Sequence, residues 1–281
     1  MVKKILKIIA VILLILLVFP ASNILVRYSP YFNGNSLGSY IIACLVYAAA
    51  AFIIVLLITN KDLSKPLFAG GMLLFFCGLV MSGIGGLGAP PDFSPAMLQH
   101  PEREHYRYTC LLICALLFTA AFLIIIKSQW NVFPQWNRWI LLFVIPAIAE
   151  LFWEFTHHYF YAENLQAWIE QGKNAAGFAA DYDNMTGIKC GAIGRCFQYT
   201  VVAWLALILL QRRLVKTWAF IAVAFFCLLG VISGISIFVT SMHLPKSMEI
   251  LFIFFIPGIP FILLYWTGIA VLTTTSKKPI K

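Results

Sequence analysis

The chain of 281 residues is 62% hydrophobic and only 11% charged, whereas a soluble globular domain carries about 25% charged residues. This composition excludes an ordinary soluble domain and indicates a membrane protein. The formal net charge of +9 does not indicate a nucleic-acid partner, because the Lys and Arg residues stand at the ends of apolar segments instead of forming one basic cluster.

Eight apolar segments are long enough to cross about 30 Å of hydrocarbon as helices. They predict an all-α fold, a single polytopic membrane bundle over residues 1–281, with helices at about 5–26, 40–59, 67–88, 108–126, 139–158, 192–211, 217–240 and 249–272. Most Lys and Arg residues lie in the terminal tails and the even-numbered loops. By the positive-inside rule, both termini are therefore predicted to be cytoplasmic, in a multi-pass protein of the plasma membrane.

The first segment resembles a secretory signal in its basic start and apolar centre. Cleavage after Ala21 would need a small residue where Phe19 stands. We therefore expect this segment to remain as a membrane anchor. Small residues recur at spacing four in the third segment (Gly78, Ser82, Gly86) and in the seventh (Gly230, Gly234), which predicts close helix packing at both places.

The fourth segment is preceded by the sequence HPEREHYRY. Pro101 fits a first helical position, and Glu102 and His105 follow at Glu-x-x-His spacing. A carboxylate and an imidazole three residues apart point in a similar direction on a helix. The alternative is that the acidic residues only stabilise the positive end of the helix dipole.

The fifth segment ends in ELFWEFTHHYFY, which carries Glu150, Glu154, His157 and His158. The helical spacing places all four along one side, running from mid-membrane to the outer interface. An acidic residue at the centre of a membrane helix costs about 2.5–3.5 kcal/mol. We therefore predict that this polar stripe faces a cavity, water or partner side chains.

Two metal centres fit these spacings. The pairs Glu102/His105 and Glu154/His157 on facing helices would resemble a di-iron carboxylate site. A zinc site could instead draw its ligands from His105, His157, His158 and His243, with one glutamate. Both alternatives stay open at the level of sequence.

The longest polar loop follows the fifth segment. Tyr161, Leu165 and Trp168 fall on one apolar stripe, which predicts an amphipathic interfacial helix over about 161–178. Its polar face is acidic, which favours use as a lid or as a docking surface for a protein partner.

Arg195 interrupts the start of the sixth segment, which is the weakest of the eight for this reason. Cys190 and Cys196 flank it and would form a disulfide in an oxidising compartment if their Cα atoms approached closely enough. In the eighth segment, Pro257, Gly258 and Pro260 predict a bent or broken helix, because each proline removes a backbone hydrogen bond.

Three functions remain open. The first hypothesis is a metal-dependent enzyme, such as a hydrolase, acting on a lipid or lipid-linked substrate at the extracytoplasmic face. Its metal ligands would be His105, Glu154, His157, His158 and His243, with Glu150 or Glu102 as ligand or general base.

The second hypothesis is a proton- or cation-coupled transporter or channel in which Glu150 titrates. The third is a non-catalytic subunit of a membrane complex, docked through the acidic outer loop.

Overall fold

The computed structural model describes residues 2–88, 95–182 and 185–274. These residues form helices and connecting turns, with no strand among them. The α-helices in chain order are α1 (Val2–Leu25), α2 (Pro30–Asn33), α3 (Leu37–Ile58), α4 (Lys65–Leu87), α5 (Glu102–Ser128), α6 (Pro134–His158), α7 (Tyr161–Glu170), α8 (Phe178–Tyr182), α9 (Met185–Gln211), α10 (Thr217–Thr240), α11 (Phe252–Phe255) and α12 (Gly258–Thr273). The basic tail at 275–281, which was predicted to be cytoplasmic, lies outside the described residues.

Six described helices are long and apolar enough to cross a membrane: α3, α4, α5, α6, α9 and α10. Two further pairs of helices reach that length together but are bent, by 60° between Ile5–Val18 and Pro20–Tyr28 and by 63° between Lys246–Phe255 and Gly258–Thr273. The prediction of an all-helical fold is confirmed for the described residues, and six to eight apolar helices that could cross a membrane suggest a multi-pass membrane protein. The predicted orientation of the termini stays a prediction.

The structure moves two predicted boundaries. Helix α9 begins at Met185, well before residue 192, because Arg195 lies inside the helix and is paired there. The predicted outer helix over 161–178 is divided into α7 and the short α8. Gly172, with φ of +75°, adopts the left-handed conformation that commonly ends a helix.

Close helix packing through small residues is confirmed. A Cβ atom added at Gly78 of α4 would overlap Tyr265 of α12, and one added at Gly230 of α10 would overlap Tyr199 of α9. Helix α4 packs against α1, α5 and α12, whereas α9 packs against α6 and α10. The site described below lies where α6 and α9 meet.

Helices α7 and α8 cover one end of the bundle, which we call the capped end. Helices α5 and α9 begin there, and α6 ends there. Tyr161 and Leu165 of α7 are buried in a cluster with Met97 and Phe178. The apolar stripe of the predicted interfacial helix is therefore covered by protein, and its position at a membrane surface stays a prediction.

Candidate functional site

The site is built around Arg195, the largest fully buried side chain in the described part of the chain, with 0% exposure. It lies inside α9, one of the helices long and apolar enough to cross a membrane. An isolated guanidinium there would be costly, so partners must surround it. Every nitrogen of its guanidinium has a partner.

Two carboxylates of α6 pair with Arg195. Nη1 donates to Oε2 of Glu150 at 2.7 Å, and Nη2 donates to Oε1 of Glu154 at 2.8 Å. Glu150 and Glu154 stand one helical turn apart, so one guanidinium reaches both. Both carboxylates are buried, with exposures of 5% and 7%.

Gln198, one turn beyond Arg195 on α9, completes this part of the network. Nη1 of Arg195 also donates to its Oε1 at 2.8 Å. The Nε2 group of Gln198 donates to the carbonyl oxygen of Ala147 at 3.0 Å and to Oε2 of Glu150. Arg195 and Gln198 together therefore hold a single oxygen of Glu150.

A glycine permits the close approach of α6 and α9. A Cβ atom added at Gly194 would overlap Cβ and Cγ of Glu150. The position next to Arg195 must therefore lack a side chain if the guanidinium is to reach the carboxylates directly.

The broken eighth span forms the third wall of the site. Ile256 is extended, with ψ of 128°, and the N–H of Ile259 bonds to the oxygen of Ile256. In a continuous helix that N–H would bond to the oxygen of Phe255. Nε of Arg195 instead donates to the Phe255 oxygen at 2.9 Å. The predicted break in this helix is confirmed.

Tyr199 of α9 supplies a hydrogen bond to the neighbouring carbonyl at the break. Its hydroxyl donates to the oxygen of Phe254 at 2.6 Å. Side chains of α9 thus take over backbone hydrogen bonds that the bent segment has lost, as a break inside a membrane bundle requires.

The network extends toward the capped end through His158, at the end of α6. Its Nδ1 lies 2.9 Å from Oε2 of Glu154. The imidazole ring stacks on Tyr108 of α5, with centroids 5.1 Å apart, and on Tyr161 of α7, 6.1 Å away. His158 is therefore buried between the charged network and an aromatic cap.

The site contains one acidic group more than its permanent basic group can neutralise. Glu150 and Glu154 together face one guanidinium, so a net charge of −1 remains when both are ionised and His158 is neutral. Oε1 of Glu150 is buried and accepts no hydrogen bond among the described residues. The two carboxyl groups contact the same guanidinium. One proton would cancel the excess charge.

The structure brings together three of the predicted site residues, Glu150, Glu154 and His158. The ring of His157 stacks on Trp153 and Tyr182, with centroids 4.8 and 4.3 Å apart. The polar stripe predicted along α6 therefore reaches Arg195 through its two glutamates and ends at His158.

The other predicted residues lie elsewhere at the capped end. Glu102 is exposed beside His100, with 3.6 Å between their charged atoms. Nε2 of His105 lies 2.7 Å from Oε1 of Glu163 on α7. His243 is exposed, and its Nδ1 lies 2.9 Å from the oxygen of Ser241.

The residues present do not fit the predicted zinc or di-iron centre. Within 2–88, 95–182 and 185–274, no group of three or more His, Cys, Asp or Glu side chains is placed to hold a metal ion. His105 bonds to the α7 glutamate instead of facing Glu154. Cys190 and Cys196 are both free, and they lie on the same helix.

Sequence reasoning missed Arg195 and Gln198 as members of the site. The signal was present, because an arginine inside an apolar span needs a buried acid, and Glu150 needs a buried base. Arg195 was interpreted only as an interruption of the sixth apolar segment, so its pairing with Glu150 was not predicted.

No known family model, curated protein or solved structure matches this chain. The function is therefore inferred from the chemistry of the site.

Proposed function

We propose that this multi-pass membrane protein is a proton-coupled ion transporter, in which Glu150 and Glu154 form the proton-binding group and Arg195 is their counter-charge. The proposal rests on a charge imbalance in the buried site, where two carboxylates share a single guanidinium. A buried net charge is costly, so this site favours the uptake of one proton.

The carboxyl pair is the favoured position for that proton. Oε1 of Glu150 has no hydrogen-bond partner among the described residues, and Glu154 contacts the same guanidinium as Glu150. Two carboxyl groups that share one buried site commonly hold a single proton between them. His158, in contact with Glu154 and lying at the end of α6, supplies a path for the proton toward the capped end.

Arg195 provides the link between proton binding and movement. The same guanidinium donates to the carboxylates of α6 and to the carbonyl oxygen of Phe255 at the helix break. Protonation weakens its attraction to α6 and leaves the contact with the break unchanged. Broken helices next to charged residues are the elements that commonly move or bind ions in secondary transporters.

The other two hypotheses have less support. A metal-dependent enzyme acting on lipid needs ligands that converge, and no group of three or more potential ligands does so among the described residues. A non-catalytic subunit would use the same network only to hold α6 and α9 together. The subunit hypothesis and the transport hypothesis both predict that Glu150→Gln stays folded. Only the transport hypothesis predicts that this variant loses proton movement.

The first measurement is infrared difference spectroscopy of the purified protein during a pH change. We expect a band from a protonated carboxyl group that disappears in Glu150→Gln and persists in Glu170→Gln, a change to an exposed acid on α7. Absence of such a band in the unmodified protein would remove the proposed proton-binding group.

The second measurement follows the internal pH of proteoliposomes with a trapped dye, under opposing gradients of sodium, potassium or chloride. We expect proton movement above that of protein-free liposomes, lost in Glu150→Gln and retained in Glu170→Gln. If the carboxyl band is present but no gradient drives proton movement, the network is structural and the transport proposal fails.

A further inference from the structure

A second feature lies away from the charged network. A cavity of about 760 Å³ lies between α1, α10 and α12, with part of α9 in its wall. Its lining is mainly apolar and includes Val11, Ile15, Phe226, Trp266 and Ala270. Such a surface favours hydrocarbon over water.

Two lysines line this cavity. Lys7 lies near the start of α1, and Lys216 directly precedes α10. Both helices begin at the end of the bundle opposite the capped end, so the two ammonium groups share one end of the cavity and repel each other. In the part of the chain that the structure describes, no carboxylate forms an ion pair with either lysine.

The length of the cavity fits one leaflet of a bilayer. From Lys216 to Phe226, α10 advances ten residues, which is about 15 Å of helix. This is about half of the 30 Å hydrocarbon thickness. The lysines therefore stand at headgroup level when the apolar lining lies beside acyl chains.

We infer that this cavity binds an anionic membrane phospholipid, with one acyl chain along the apolar lining and its phosphate between Lys7 and Lys216. Basic pockets between membrane helices bind anionic headgroups by this combination of charge and apolar contact. The site is independent of the proposed proton-binding group.

The test uses the full-length protein in detergent micelles. Thermal unfolding is followed during titration with phosphatidylglycerol or with phosphatidylcholine of identical chains, and native mass spectrometry counts the bound lipids. We expect phosphatidylglycerol to raise Tm and to remain bound as one molecule. Lys216→Gln should lower its apparent affinity about fivefold, and adding Lys7→Gln should lower it about fivefold again.

Three variants provide controls. Lys127→Gln removes an exposed lysine at the same end of the bundle and should leave the affinity unchanged. Lys216→Arg keeps the positive charge and should retain binding. Ala222→Phe fills the cavity without changing the charge, so it should release the lipid while both lysines remain.

Results other than those expected would contradict specific parts of the lipid-binding proposal. Equal affinity for phosphatidylcholine would overturn recognition of an anionic headgroup, and equal stabilisation by inorganic phosphate would show that the site binds a soluble anion instead of a lipid. Unchanged binding in the double lysine variant, or in Ala222→Phe, would overturn the position assigned to the lipid. If the double variant fails to fold, Lys216→Gln and Ala222→Phe still decide the question.

Discussion

Nε of Arg195 and the carbonyl oxygen of Phe255 lie 2.9 Å apart, joining a fully buried guanidinium to the break between α11 and α12. The remaining nitrogens of this guanidinium contact Glu150, Glu154 and Gln198. One side chain thus connects two membrane-spanning helices and a helix break. Its removal should affect all three.

Arg195→Gln should strongly destabilise the protein, because two buried carboxylates would lose their counter-charge. Breaking a buried ion pair from one side typically costs about 3–5 kcal/mol. Unfolding in mixed micelles with increasing SDS measures this loss. Arg212→Gln, at an exposed residue directly after the same helix, should change stability by less than about 0.5 kcal/mol. Equal effects of the two variants would contradict the central role of Arg195.

Glu150→Gln, in contrast, should change the stability of the protein only slightly. It leaves one carboxylate facing one guanidinium and retains an oxygen that accepts from Arg195 and Gln198, so we expect a change within about 1 kcal/mol. The same substitution should also recover part of the stability lost in Arg195→Gln, because the double variant contains one uncompensated acid instead of two. A double-mutant cycle measures this recovery, and strictly additive losses would rule out the charge balance assigned here.

The helices could be predicted from sequence because hydrocarbon thickness and backbone hydrogen bonding restrict a membrane-spanning chain to a narrow choice. The break at Pro257 followed from the missing N–H groups. Helix ends were less predictable. Helix α6 begins at Pro134, where polar residues continue the helix beyond the apolar run and weaken the hydropathy signal, whereas α5 begins at Glu102, next to the predicted first position at Pro101.

The burial of Glu150 could also be predicted, because an acid in the middle of a span must avoid lipid. Its partner could not be read from any local pattern, since the contact between α6 and α9 joins residues 45 positions apart. The Glu-x-x-His spacing at Glu102 and His105 gave a false impression of convergence. His105 contacts Glu163 on α7, which lies in a loop whose path was not predictable.

Gly194→Ala should disrupt the site sterically without changing its charge. The added methyl group would overlap the side chain of Glu150, which forces α6 and α9 apart or displaces the carboxylate. Overpacking of this kind typically costs about 1–3 kcal/mol. Gly83→Ala is the matched control, because its nearest neighbour, Sγ of Cys44, lies 3.9 Å from the added Cβ. Unfolding in SDS should show a clear loss of stability for Gly194→Ala and little change for Gly83→Ala.

Removal of metal should leave the protein unchanged, because no group of three or more His, Cys, Asp or Glu side chains among the described residues is placed to hold a metal ion. We expect Tm to stay constant after dialysis against a chelator, and the purified protein to contain metal well below one equivalent. A clear fall in Tm that added zinc or iron reverses would support the metal-dependent enzyme instead.

Tyr199→Phe tests the helix break with the smallest possible change. The hydroxyl of Tyr199 donates to the Phe254 oxygen at 2.6 Å, so its loss leaves a buried carbonyl without this donor and should cost about 1–3 kcal/mol. The phenyl ring keeps its packing against Gly230, so the loss reports the hydrogen bond. Tyr28→Phe, at a side chain that is 46% exposed, is the matched control and should change stability by less than about 0.5 kcal/mol. If Tyr199→Phe is equally neutral, the Phe254 carbonyl does not depend on this hydroxyl, and the stabilising role assigned to Tyr199 at the break is wrong.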